Sequence, residues 1–295
     1  MASLAARHNG APARVMRRQR SAPHYQHLLT LPPGYVQQAQ GAAPAAVQQG
    51  AWPLVLFLHG AGEGAGGGMH HGDTADPPRP PRLVAAYAGD AAAQESRGRP
   101  APAHPGTAHL LATSAITLSP QVDYARMGHG FRPGGLLALL DDITCEGEAA
   151  RAAQAEAVAE AEAEGMPPPV PLPLAVDPDR VYVTGISMGG YGTWALGAAD
   201  PGRFAALLPI CGGGDPAALA PRLAQASLPV LAVHGARDDI IPIEQSERLV
   251  KAIQELGGDA SLARMPDAGH DCWTEAYNDM GVWSWLLEQR RRRAP

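Results

Sequence analysis

Aromatic residues make up only 5% of the 295 positions, and there are three cysteines, Cys145, Cys211 and Cys272. They are too few and too scattered along the chain for a disulfide framework or a zinc-ligand spacing, so a reducing compartment is the expected setting. No apolar run approaches the roughly 18 residues of a membrane span. The formal charge of −6 offers no excess of positive charge and so gives no case for nucleic-acid or anionic-membrane binding. Acidic residues are absent from positions 1–62, while Arg7, Arg14, Arg17, Arg18 and Arg20 are all basic. An acid-free, Arg- and Ala-rich start has the composition of an organellar transit peptide and lacks the apolar run of a secretory signal. The plainer reading is a disordered tail. Residues 1–22 are therefore set apart as an extension, with a folded domain expected over 23–290. The expected location is the cytoplasm, or an organelle if the start is a transit peptide.

Glycine (34) and proline (29) are abundant, and they gather in two places. Residues 62–108 are dominated by Gly, Pro, Ala and polar residues, with a short helix expected at 83–88. His70, His71, Asp73 and Asp76 lie there and read as solvated loop residues rather than metal ligands. The second insertion spans about 145–175. Its stretch 149–164 has Ala, Glu and Gln of high helix propensity but almost no apolar face, and a proline-rich run ends it.

Between these insertions, apolar runs alternate with helix-spaced segments. Strands are expected at 25–31, 53–58, 113–118, from 180 towards the turn at 185–189, 204–210, 228–235 and 260–265. Helices are expected at 136–143, 243–256 and 273–290. Strands alternating with helices imply an α/β fold, a mostly parallel sheet covered on both faces.

One stretch carries chemistry. Residues 180–194 read as a β-branched and aromatic strand, then Gly185-Ile-Ser187-Met-Gly189, then a helix of small and apolar residues. A strand, Gly-x-Ser-x-Gly and a helix form the nucleophile elbow of a serine hydrolase, which projects the hydroxyl above the sheet edge. The helix that follows aims its free N–H groups at the same spot. An oxyanion hole would take one N–H from Met188, the residue after the nucleophile. It would take a second from the loop His59-Gly60-Ala61-Gly62 after an early strand, with Ala61 the favoured donor. His59 reads as a loop-shaping residue rather than a base.

A serine hydroxyl needs a base, and the base needs an acid to hold its tautomer. After Ser187 only His234 and His270 remain. His234 ends an apolar strand and reads as structural, whereas His270 lies in a loop between the last strand and the last helix, where a general base belongs. Asp238 and Asp239 sit just past a strand end; Asp238 is preferred, although spacing alone does not separate the two. Asp215, Asp267 and Asp271 read as turn or cap residues.

The chain resembles the α/β-hydrolase superfamily. Within it, the likeness is to the capless group of predicted peptidases, phospholipase/carboxylesterase-like and dienelactone hydrolase-like proteins. The matching residues are Leu-His-Gly-Ala-Gly-Glu at 58–63, Pro-Gln at 120–121, the run at 177–194, His-Gly-x-x-Asp-x-x-x-Pro at 234–242 and Gly-His-Asp-x-Trp at 269–273. The resemblance implies an α/β-hydrolase fold with no large cap domain, and it supports Asp238 over Asp239 as the triad acid. The long 62–108 segment and the Ala/Glu insertion depart from the pattern. Dienelactone hydrolases proper use a cysteine nucleophile, so serine at 187 points to general ester chemistry. The expectation is a carboxylesterase-type serine hydrolase acting through an acyl-enzyme on a small-molecule ester, with no metal or organic cofactor. Oligopeptidase-like, thioesterase or lysophospholipase chemistry is the alternative, and a non-catalytic small-molecule receptor on the same scaffold is a further one. The oligomeric state is not written in the sequence.

Overall fold

The computed structural model describes residues 14–18, 25–32, 35, 51–61, 105–124, 130–144 and 174–292. The helices expected at 83–88 and 149–164, and the histidines and aspartates of the first insertion, lie outside the described residues. Eight strands form one sheet: β1 (Arg14–Arg18), β2 (Gln26–Leu31), β3 (Trp52–Leu58), β4 (Ile116–Gln121), β5 (Val176–Ile186), β6 (Ala206–Ile210), β7 (Val230–Gly235) and β8 (Ala260–Met265). Their spatial order is β1-β2-β4-β3-β5-β6-β7-β8. The β1/β2 and β2/β4 pairs are antiparallel, and every pair from β4/β3 onward is parallel.

Seven helices accompany the sheet among the described residues. They are α1 (Pro105–Ser114), α2 (Pro133–Thr144), α3 (Met188–Ala199), α4 (Pro216–Gln225), α5 (Glu244–Glu255), α6 (Trp273–Asn278) and α7 (Met280–Glu288). None is long and apolar enough to cross a membrane. Successive side chains along a strand point to opposite faces, and here both faces are buried. Leu54, Leu56 and Leu58 of β3 join Val181, Val183 and Leu207 in one core, with Leu136 and Leu140 of α2, Trp194 of α3 and Leu249 of α5. Val55 and Phe57 point the other way and join Tyr182, Leu208 and Val233, under Leu111 of α1 and Trp283 and Leu286 of α7. Continuous apolar runs at 54–58 and 206–210 are what a strand covered on both sides requires.

The structure moves several expected boundaries. Residues 14–18, assigned to the N-terminal extension, pair along the outer side of β2, where ladder hydrogen bonds satisfy the backbone whatever the side chains. The strand expected at 113–118 starts at Ile116, because α1 runs to Ser114. It then continues through Pro120 to Gln121, since β2 pairs with it up to Gln121 while β3 pairs only as far as Leu118. The terminal helix is two helices. Asp279 breaks it in extended conformation and caps α7 by accepting from the Gly281 N–H at 2.7 Å. Helix α4 was not foreseen; Asp215 caps it through the Ala217 N–H and Pro216 occupies its first turn. It is the single helix between β6 and β7, so no cap domain is inserted there.

Candidate active site

The C-terminal ends of the parallel strands deliver the chemistry-bearing residues to one edge of the sheet, as open α/β sheets do. Ser187 follows β5 directly, Asp238 comes three residues after β7, and His270 comes five after β8. Ser187 has φ 53° and ψ −114°, a conformation that L-residues rarely adopt and that costs energy unless the surroundings impose it. They do impose it. The Ser187 N–H donates to the Ile210 carbonyl at 3.0 Å, and the Tyr191 N–H donates to the Ser187 carbonyl at 3.1 Å. A Cβ on Gly189 would stand 1.9 Å from the Leu58 carbonyl oxygen, so only glycine lets α3 start this close to β3.

His270 Nε2 lies 3.0 Å from Ser187 Oγ, and His270 Nδ1 lies 2.8 Å from Asp238 Oδ2. The loops carrying Asp238 and His270 are laced together. The Ala236 N–H donates to the Met265 carbonyl and the Arg237 N–H to the Ala268 carbonyl. A Cβ on Gly235 would meet the Gly269 carbonyl oxygen at 2.1 Å, so glycine permits their approach. The Trp273 ring stands edge-on to His270 with centroids 5.4 Å apart, which limits the tilt of the imidazole.

Asp238 is buried, and burial alone would push its pKa up. The hydrogen bond from His270 and those from the Ile241 and Ile240 N–H groups, at 2.9 and 3.0 Å, outweigh burial and hold the carboxyl below its ordinary range. His234 adds a further contact, with Nε2 3.3 Å from Asp238 Oδ2 and 2.9 Å from the Ile241 carbonyl. Both neighbours are acceptors, so Nε2 carries a proton; Nδ1 lies 2.8 Å from Ser246 Oγ, whose hydroxyl donates to the Gly212 carbonyl at 3.0 Å. His234 thus holds Asp238 and the Ile241 carbonyl together. Asp239 is exposed.

The two expected oxyanion donors, Ala61 and Met188, follow β3 and β5, which are parallel neighbours in the sheet. Met188 opens α3, so its N–H is one of the four that a helix leaves unpaired at its start. His59 is buried against Phe131, with ring centroids 5.0 Å apart, and both of its nitrogens are engaged. Nε2 accepts from the Val122 N–H at 3.0 Å, so Nδ1 carries the proton and donates to the Gly60 carbonyl at 2.7 Å. Burial pushes the His59 pKa down, favouring this neutral form. Its nitrogens are therefore committed to loop geometry rather than to proton transfer. In a trans peptide the N–H points opposite the C=O, so anchoring Gly60 C=O at His59 turns the Ala61 N–H away from that ring.

Two features escaped the sequence reading. Cys211 and Cys272, 61 positions apart, meet in the core beneath the site, where the two thiols share a hydrogen bond. That bond and burial push the Cys211 thiol up, so it stays protonated. One ligand atom each of Cys211, Asp238 and His270 falls within 4.8 Å of the others, but the carboxylate and imidazole are already engaged with each other. Tyr124 is the second. Its hydroxyl donates to the Ala61 carbonyl and lies 3.7 Å from Met188 Sδ. The signal for Tyr124 is strand order, which sets β4 beside β3; Cys272, after β8, reaches Cys211, after β6, across the end of the intervening β7, and spacing along the chain carries neither contact.

Comparison with known proteins gives a consistent picture. The model of the Dienelactone hydrolase family matches residues 173–280, a little over a third of the chain. A stretch of 48 residues is 44% identical to the "Uncharacterized peptidase YuxL" of Bacillus subtilis (strain 168), covering 16% of this chain and 7% of that protein. Among solved structures, a thermostable esterase superposes with a TM-score of 0.56 at 23% identity, over 95% of this chain and 64% of that one. A ferulic acid esterase superposes with a TM-score of 0.55 at 15% identity, over 94% of this chain and 98% of that one. The chain thus spans less than two thirds of the esterase and a small part of the peptidase. At these identities the two superpositions speak to the fold.

Proposed function

We propose, on the premise that the chain belongs to the α/β-hydrolase superfamily, that it is a serine hydrolase of carboxylic esters working through Ser187, His270 and Asp238. The observation that carries this reading is the unbroken chain of hydrogen bonds from Ser187 Oγ through His270 to Asp238, at 3.0 and 2.8 Å, with the serine on a strained elbow. Because Nδ1–H donates a hydrogen bond to the carboxylate and keeps its proton, the Nε2 lone pair faces the hydroxyl and can accept its proton as Oγ attacks the acyl carbon. The carbonyl π pair moves onto oxygen, and the N–H groups of Met188 and Ala61 stabilise the resulting oxyanion. Collapse of the tetrahedral intermediate expels the alcohol, which takes the proton from Nε2 and leaves the acyl group on Ser187. Water then repeats the sequence and releases the acid. Asp238, held ionised, stabilises the imidazolium that forms twice per turnover.

The test is fluorophosphonate labelling read by intact mass, together with a p-nitrophenyl ester chain-length series, on wild type and Ser187→Ala. The expected result is one adduct that the variant lacks, with kcat lower by about 10⁴-fold or more. Unlabelled, folded wild-type protein would refute the reading. The stretch similar to a peptidase supports a second reading, amide cleavage by the same groups. A peptide amide cleaved faster than its matching ester would favour it.

A further inference from the structure

We propose that Tyr124 is a positioning residue of the oxyanion site, holding the Ala61 peptide in register with Met188 through its hydroxyl. This rests on the ester-hydrolase reading above. Two tethers flank the Ala61 α-carbon. His59 Nδ1–H holds the carbonyl on its N-terminal side, that of Gly60, at 2.7 Å. The Tyr124 hydroxyl holds the carbonyl on its C-terminal side, that of Ala61 itself. The Ala61 N–H belongs to the Gly60–Ala61 peptide, which rotates about Gly60 ψ and Ala61 φ, and glycine at 60 resists its share of that rotation weakly. A flipped peptide would present a carbonyl where an oxyanion needs a donor. The His59 bond opposes that rotation on the peptide itself, and the Tyr124 bond opposes it by holding the Ala61 residue from its other side.

Tyr124 does more than fix the loop to itself. Its oxygen also lies 3.7 Å from Met188 Sδ, on the residue that contributes the other N–H. One phenol thus touches both residues proposed to supply the donors, 127 positions apart, through the Ala61 carbonyl and the Met188 side chain. Its ring is partly buried and packs against the core that contains Leu58 and Trp194, so the reference point is fixed. The phenolic proton is committed to the Ala61 carbonyl, which assigns Tyr124 to positioning rather than to direct contact with the oxyanion. Strand order makes this reach possible: β4 lies next to β3, so a residue just past β4 stands beside the loop just past β3.

Tyr124→Phe removes the hydroxyl and keeps the ring, and the net value of one such hydrogen bond sets the expected effect at about tenfold. On p-nitrophenyl butyrate, kcat should fall by about tenfold while KM stays within about twofold. The inhibition constant of an alkylboronic acid, whose tetrahedral adduct on Ser187 places an oxygen in the same hole, should weaken by a similar factor. The thermal midpoint should stay within about 3 °C of wild type, since a hydroxyl that leaves a partly exposed carbonyl costs little stability. Unchanged kcat and boronate affinity on an active enzyme would overturn the proposal alone. So would a loss confined to KM. Wild-type protein that hydrolyses no ester would instead refute the proposed function, and this proposal with it.

Discussion

Asp238 and Asp239 are chemically identical neighbours, and what separates them is environment. Asp238 is buried and takes hydrogen bonds from His270 and from the Ile240 and Ile241 N–H groups, whereas Asp239 is exposed. Asp238→Asn should therefore lower kcat by about 10³–10⁴-fold through loss of the correct imidazole tautomer, while Asp239→Asn stays within about twofold of wild type. Steady-state kinetics of both variants on one ester decides it. The grouping of Ser187, Asp238 and His270 at one edge was legible in the sequence because each sits in a short local motif after a strand, although only the family resemblance favoured Asp238 over Asp239. Tyr124 and the Cys211–Cys272 contact were not legible, because both depend on the spatial order of the strands in the sheet rather than on spacing along the chain. His59 supplies a prediction in pH. Burial lowers its folded pKa below the unfolded value of about 6.5, so the unfolded chain binds more protons and stability rises with pH in that window. The contribution is fully present above about pH 6.5 and is lost as pH falls towards the folded value. Urea midpoints should drop between pH 7 and pH 5, and His59→Gln should show a smaller drop over the same interval. Equal drops in both proteins would contradict the assignment.

The elements were easier to read than their ends. A fully buried strand shows as a continuous apolar run, as at 54–58, and β3 came out within a residue of that expectation. Ends are set by tertiary partners instead. Strand β4 outlasts its apolar run because β2 continues alongside it, and the last helix breaks where Asp279 turns to cap Gly281. The elbow shows the same dependence at finer scale. Motif logic required glycine at 185 and 189; the structure supplies the reason, since a methyl group at 189 would overlap the Leu58 carbonyl at 1.9 Å with backbone on both sides. Neither segment can yield without moving β3 or α3. Gly189→Ala should destabilise the fold by at least about 3 kcal/mol. Gly202→Ala, where nothing lies within 4 Å of the added carbon, should stay within about 0.5 kcal/mol. Chemical denaturation of the pair provides the comparison, and similar stabilities for the two variants would contradict the packing at the elbow.

At the scale of the whole molecule, the parallel sheet needs its opposite edge closed as well as its active edge built. The segment after α7 does this at the N-terminal end of β5. Tyr182 donates from its hydroxyl towards the Leu287 and Gln289 carbonyls, at 3.1 and 2.8 Å. Arg291 donates to Asp179 Oδ1 through Nε and Nη2, at 3.1 and 3.0 Å, while its own N–H donates to the Asp179 carbonyl at 2.9 Å. Arg292 pairs with Asp259 at 2.7 Å, just before β8. The sequence has only a run of arginines after an apolar stretch, and nothing in it names Asp179 or Asp259 as partners. Because Arg291 and Asp179 are each about three quarters buried, solvent screens their pair incompletely. Arg291→Ala should cost about 1 kcal/mol, which lowers Tm by about 2–4 °C. The deficit should shrink in about 1 M salt, where wild type loses part of the same interaction. Ester turnover at a temperature well below either midpoint should not change, since the clasp and Ser187 lie at opposite ends of β5. A Tm equal to wild type in low salt would show that the pair is held by its surroundings and contributes no stability of its own.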